Sequence, residues 1–330
     1  SISANRAILD IASKHREDFQ MNIYRMGRNA IEKGSRDTWT IQPPALESIA
    51  ARIEKDKPQM IGQGRSRGYP LEYYQMMFDP AERDPRGYII PSDQPDFLTA
   101  VKFANALIKT GVTVHRATEA FSIGEKTYPS GSLIVKCAQA FRPHILTMFE
   151  PQNYPNDFEY PGGPPRPTYD NAGWTLAFQM GIQFDRLLED FDGPFEPATD
   201  FIAPPVRTVP SSRTGFYLDP RANDTFIAVN RLLNEKKEVI RCERPVSASG
   251  KELPAGAFFI PPKKGVLDIL DRAARELGLP VFAASSRPDG KNIRLSQPRI
   301  GLWDSYGGSI NSGWLRWLFE QFEFPFQLVY

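Results

Sequence analysis

Histidine and cysteine are scarce in this 330-residue chain, with three of the first and two of the second. A mononuclear peptidase zinc takes three protein ligands, usually including two histidines, together with a catalytic carboxylate. His15, His115 and His144 stand far apart, neither His115 nor His144 has the close His or Glu companion of a metalloprotease signature, and His15 reads as a packing or capping residue, so no metal site is expected here. Cys137 and Cys242 could be buried thiols or a disulfide, and two cysteines fix no redox compartment. No apolar run is long enough to cross a bilayer, and Ser1 opens no recognisable signal peptide. Charge of one sign is missing too. Lys and Arg number 40 against 39 Asp and Glu, which leaves no bulk field for nucleic acid or a membrane surface.

What the chain does have is an ordinary 41% apolar fraction, length enough for two compact domains, and 30 prolines, which favour rigid extended connections. Ile8, Ile11, Ala12, His15, Phe19, Ile23, Met26 and Ala30 recur at helical spacing and predict one long helix over Ile2 to Ile31, stopped near Gly34. On that face His15 reads as a packing or capping residue. Pro43 and Pro44 open a second helix through Ile53, closed by Pro58.

From Arg86 onward the element types alternate. Gly87 to Ile90, Val112 to Val114 and Ser132 to Val135 read as strands, and Pro95 to Lys109 as a helix. The pattern returns 125 residues later without a gap. Val101, Asn105, Leu107, Val114, Arg116, Lys126, Pro129, Gly131 and Ile134 align with Phe226, Asn230, Leu232, Val239, Arg241, Lys251, Pro254, Gly256 and Phe259, which predicts an internal duplication. A helix over Gly265 to Leu277, a strand over Val281 to Ala284, and a closing strand, helix and strand from Ile300 to Val329 follow. The segment Trp174 to Leu188 reads as helical.

Short strands alternating with such helices predict an α/β fold, in which duplicated strand-helix units form a mainly parallel three-layer sandwich behind an N-terminal helical segment. The divisions expected are residues 1–60 (helical segment), 61–150 (first α/β repeat), 151–210 (Pro/Gly/aromatic connection) and 211–330 (second repeat and closing unit). Ligands of such folds sit at the carboxyl ends of the strands.

Nucleophilic chemistry has thin support. Cys137 follows a strand, but Val135-Lys136-Cys137-Ala138-Gln139 lacks the glycines of a tight nucleophile elbow. A Cys137 site with His115 or His144 is the alternative catalytic reading, against a small buried thiol. Arg65 and Arg67, in a glycine-rich stretch matching no phosphate loop, are candidate anion ligands or surface residues. Trp303, Asp304, Tyr306, Asn311 and Trp314 are candidates for a polar rim with an apolar wall, or for capping of the last helix. Tyr160, Tyr169, Asp170 and Trp174, in the irregular connection, are candidates for interface packing or ligand contact.

The runs Tyr160-Pro161-Gly162-Gly163-Pro164-Pro165, Asp170-Asn171-Ala172-Gly173-Trp174-Thr175-Leu176, and Gly301-Leu302-Trp303 through Gly313-Trp314-Leu315-Arg316-Trp317 resemble those of bacterial zinc carboxypeptidases of family M14. The resemblance is to the long region after their peptidase domain, sometimes described as related to a glutamine-amidotransferase-like fold, and it covers nearly the whole chain. It implies an exported parent protein, secreted or periplasmic, in which this chain is a non-catalytic accessory or substrate-positioning module. The implied partner is the catalytic domain of the same parent, which alone would carry zinc, and the implied substrate is a peptide or peptidoglycan-type molecule. The alternative is an independent hydrolase or amidotransferase-like enzyme with a strand-end site. The family's zinc motif has no match at His15, His115 or His144, so neither a cofactor nor a catalytic residue carries over to this chain.

Overall fold

The computed structural model describes residues 2–64, 67–153, 157–167 and 175–330. They form two compact units, Ser1–Ser92 with Phe103–Phe201, and Asp93–Lys102 with Ile202–Tyr330.

The first unit opens with α1 (Ile2–Lys14) and α2 (Arg16–Gly34). Their hydrogen-bond ladder passes through His15, whose N–H donates to the Ile11 carbonyl and whose own carbonyl accepts from Phe19, so the expected single helix is nearly continuous. Glu17 and Asp18 in the first turn of α2 and Lys33 in the last complement the helix dipole. The carboxyl end of α2 seats on the body. Ala30 and Gly34 are buried, and a β-carbon on Gly34 would lie 2.2 Å from the Cys137 carbonyl oxygen. Pro43 starts α3 (Pro43–Asp56), which stops at Lys57 in a left-handed conformation. Then come α4 (Leu71–Gln75) and a 3-10 turn over Met76–Phe78.

The sheet begins with the fully buried β1 (Gly87–Ile90) and continues through α5 (Phe97–Lys109), whose residues up to Lys102 belong to the second unit. Next are β2 (His115–Ala117), a hairpin of β3 (Phe121–Ile123) and β4 (Lys126–Tyr128), β5 (Leu133–Lys136), α6 (Arg142–Phe149), α7 (Leu176–Gln179), β6 (Asp185–Leu187) and β7 (Phe195–Pro197). The strand order is β6-β1-β5-β2-β7.

The second unit repeats this plan. It comprises β8 (Phe216–Leu218), α8 (Thr225–Asn234), β9 (Ile240–Cys242), β10 (Val246–Ala248), β11 (Lys251–Leu253), β12 (Phe258–Ile260), α9 (Val266–Glu276), β13 (Phe282–Ala283) and β14 (Asn292–Arg294), in the order β13-β8-β12-β9-β14. β2 and β9 begin at 115 and 240, and β3 and β10 at 121 and 246, an offset of 125 residues in each case. A terminal β15 (Ile300–Trp303), α10 (Ile310–Gln321) and β16 (Phe326–Val329) form a parallel pair with its crossover helix. Bidentate bonds from Arg231 to Glu323 and a 2.7 Å bond from the Asn230 amide to the Phe322 carbonyl tie this pair to α8.

The mainly parallel sandwich is not what forms. Every pairing in both five-stranded sheets is antiparallel, and among the described residues only β15 with β16 is parallel. The crossover through α5 leaves β1 and β2 pointing the same way. The short β3-β4 hairpin then returns the chain as β5, which inserts between them and runs against both. A buried apolar run has the same composition in either direction, so the pattern of residues did not disclose this. The helix expected over Trp174 to Leu188 is also corrected. Among its described residues, α7 ends at Gln179, Gly181 adopts a positive φ, and the chain extends into β6. The connection thus supplies two strands to the first sheet.

Behind the first sheet Tyr88 stacks on Phe149 at 4.0 Å, and Phe103 meets the Phe149 edge at 5.1 Å. All three rings are fully buried, and each contributes about 1.5–3 kcal/mol of burial. The second unit has its own core around Leu218, Leu232, Ile260 and Leu270. Among the described residues no helix is long and apolar enough to cross a membrane.

Candidate functional site

The structure does not gather the alternative catalytic residues. Cys137 is completely buried at the end of β5, and burial pushes its thiol up to about 12; Arg142, Glu150, Asp84 and Arg186 are the charges that act on it. His115 lies on β2, opposite Ile134 on one side and Pro197 on the other. Burial, reinforced by Lys136 and opposed by Asp192, holds its imidazole below the ordinary range, and its Nδ1 is buried without a partner. His144 is on α6, with Nε2 3.0 Å from the Thr110 hydroxyl. No hydrogen bond joins Cys137 to either histidine among the described residues. Cys242 is likewise buried and unpaired, so no disulfide forms between the two cysteines.

The remaining sequence candidates are scattered. Arg65, Tyr169, Asp170 and Trp174 lie outside the described residues. Arg67 is exposed beside the Ile61–Gly68 bridge. Tyr160 is exposed in the proline-glycine turn, where its carbonyl accepts from the Gly163 N–H at 2.8 Å. Asp304 acts in helix capping: its carboxylate accepts from the Ser312 hydroxyl at 2.6 Å, while Ser309 caps α10 through the Ser312 N–H. Tyr306 and Asn311 are exposed, and so are Trp303 and Trp314, the latter edge-on to Trp317 at 5.8 Å.

One polar cluster was not legible in the sequence. A cleft of about 860 Å³ opens in the first unit beside α3, the 3-10 turn and α6. On its floor lies the pair Arg142–Asp84 at 2.6 Å, with side chains 7% and 10% exposed. Asp84 also accepts from the Thr38 hydroxyl and from the N–H and hydroxyl of Thr40 at 2.9–3.1 Å, so both its oxygens are occupied. Beside it Glu150 accepts from the Tyr88 hydroxyl at 2.6 Å and from Arg186 Nε at 3.0 and 3.2 Å. Each floor carboxylate therefore sits against a guanidinium and also accepts from at least one hydroxyl. Trp39, Ile49, Met76, Met77 and Leu146 form an apolar wall. The one sequence signal was Arg142 itself, a charge between Phe141 and Pro143 in an otherwise apolar helix start. Its partners, Thr38 and Asp84, and the neighbouring pair Glu150–Arg186 come from positions that no spacing rule connects.

A second feature is the bare apolar stripe of α1 and α2. Ile8, Ile11, Phe19, Ile23 and Met26 are all at least half exposed, and Ile23 and Met26 reach 70% and 71%. They continue, turn by turn, the same face whose far end, Ala30 and Gly34, is buried.

Among the described residues no group of three or more His, Cys, Asp or Glu side chains is placed to hold a metal ion. In comparisons with known proteins, no family model, no curated protein and no solved structure matches this chain.

Proposed function

We propose that this chain is a non-catalytic accessory module that packs against a zinc carboxypeptidase domain of the M14 type in the same exported parent protein and positions substrate for it. The observation that carries this reading is the bare stripe on α1 and α2. Water-exposed Ile, Phe and Met along one helix face form an apolar stripe of the kind that marks an interaction surface. The stripe is continuous with a face already packed at Gly34, so a second body seated on it would extend an existing interface. By helical spacing Arg16 and Asp18 flank it on its two sides with charges of opposite sign, as at a polar interface rim. The resemblance of the Tyr160 to Leu176 and Gly301 to Trp317 segments supplies the partner, and zinc belongs to that partner.

The test is sedimentation velocity of the chain alone and mixed with a zinc-loaded M14 carboxypeptidase domain. The expected result is a one-to-one complex that is lost when Ile23→Glu and Met26→Glu are combined, since charges on exposed positions leave the fold intact while spoiling the apolar contact. Self-association through the stripe, or a mixture that sediments as two separate species, overturns the reading.

A further inference from the structure

We infer that the cleft of the first unit binds a short stretch of extended, uncharged polypeptide, with its backbone carbonyls on Arg142 and Arg186 and an apolar side chain against Trp39 and Leu146. This goes beyond the docking role and does not depend on it.

The floor has N–H donors to spare, and its two carboxylates are already engaged. Asp84 accepts four hydrogen bonds, and Glu150 accepts from the Tyr88 hydroxyl and from one Arg186 N–H shared between its two oxygens. A guanidinium carries five N–H donors, and these two use only part of theirs. Arg142, 6% exposed, donates only through Nη2; its Nε is enclosed and out of a ligand's reach, so Nη1 is the group it has to offer. Arg186 donates through Nε and Nη2 and keeps Nη1 free. A ligand oxygen would complete these two guanidinium groups.

Charge then decides which kind of acceptor. Arg142 and Arg186 are matched by Asp84 and Glu150, and Asp79 and Glu82 add two further carboxylates to the lining. The balance is negative, so a phosphate or free carboxylate would meet repulsion, while a neutral carbonyl takes the spare N–H groups at no such cost. Around the mouth stand Gln42, Gln152 and Asn153, and among the described residues none of their side chains makes a hydrogen bond. A primary amide both donates and accepts, which is the complement of a peptide group. The apolar wall supplies the one non-polar subsite, and the volume lies in the upper range of ligand pockets, room enough for several residues.

The experiment is a titration of the whole chain, without any peptidase domain, by acetylated and amidated tetrapeptides carrying Ala, Leu, Phe or Lys at the second position. The same peptides with a free carboxylate, and inorganic phosphate, serve as anionic probes. Binding is read by calorimetry and by amide shifts in NMR. Saturable binding of the Leu or Phe peptide is expected, with shifts at Arg142 and Arg186. Combining Gln152→Ala with Asn153→Ala at the exposed mouth is expected to weaken it by about fivefold per lost hydrogen bond. Leu146→Trp, with the circular dichroism spectrum unchanged, abolishes binding by filling the wall. No saturable binding of any capped peptide up to about 5 mM overturns the inference, as do tighter binding of the free-carboxylate peptides or phosphate and unchanged affinity in the mouth variant. Because the assay contains no partner domain, failure here leaves the docking role standing, and failure of the sedimentation test leaves this site standing.

Discussion

Replacing Gly34 with alanine sets two effects of opposite sign against each other. Within a helix, alanine is favoured over glycine by about 1 kcal/mol, and Gly34 closes α2 without a positive φ, so local propensity alone makes Gly34→Ala stabilising. The tertiary contact says otherwise. The new β-carbon would stand 2.2 Å from the Cys137 carbonyl oxygen, 2.4 Å from its carbon and 2.6 Å from the Ala138 α-carbon. All three are backbone atoms that no rotamer change can move aside. Overpacking of this sort costs about 1–3 kcal/mol, and here the helix end or the Cys137–Ala138 segment must shift bodily, so the contact outweighs the propensity. We expect a net loss of about 1–2 kcal/mol in urea unfolding, with faster amide exchange over the last two turns of α2. Two controls calibrate the result. Gly27→Ala meets only the Ala140 β-carbon at 3.4 Å, and Gly313→Ala in α10 meets nothing within 4 Å, so both are expected to be neutral or stabilising by up to about 1 kcal/mol. If Gly34→Ala gains stability to the same extent as Gly313→Ala, α2 does not seat on the Cys137 backbone and the continuity of the stripe with a packed face is lost.

Three further outcomes test the cleft floor and the sheet. Asp84→Ala strands the Arg142 charge in a site 7% exposed and leaves the Thr40 N–H unpaired, a loss of about 3–5 kcal/mol. Adding Arg142→Met recovers much of it, and a double-variant loss equal to the sum of the Asp84→Ala and Arg142→Met losses would show that the pair is not coupled. Cys137 has a thiol raised by burial from 9.0 to about 12; its stabilising contribution is complete below the unfolded value and is lost as pH rises from about 9 to 12. Native protein is therefore expected to resist iodoacetamide at pH 8, and prompt alkylation of Cys137 there would contradict the burial. His115 shifts the other way, held low by burial and then by Lys136, so its contribution is present above the unfolded value of about 6.5 and is lost as pH falls through the lower folded value. His115→Gln is expected to flatten that acid-side slope in urea unfolding measured between pH 7 and 4, and an unchanged slope would count against the buried, neutral imidazole.

Much of the architecture was legible in the residues because it depends on neighbours. The periodicity of Ile8 through Ala30 gives a helix, Pro43 a helix start, and the ungapped match of Val101 through Ile134 with Phe226 through Phe259 two sheets of one design. The strand β2 fell at His115 to Ala117, just beyond the expected Val112 to Val114, since a short buried run marks a strand better than it marks its ends. Strand direction was not legible at all. Whether β5 lies beside β1 or runs against it depends on the reach of the β3-β4 hairpin.

The candidate sites divide along the same line. Cys137, His115 and His144 drew attention because their side chains are reactive in isolation, and the fold buries the first and pairs the last with Thr110. The cleft floor is assembled from Asp84, Arg142, Glu150 and Arg186, ordinary charges at sequence distances with no repeating interval. By itself the sequence determined the N-terminal helices, the duplicated plan and the absence of a zinc signature, all of which follow from local spacing and residue type, while its helix over Trp174 to Leu188 did not form as such. Only the tertiary structure decided sheet polarity, the seat of Gly34 and the donor-rich cleft, because each depends on groups remote in the chain being brought within a few ångströms.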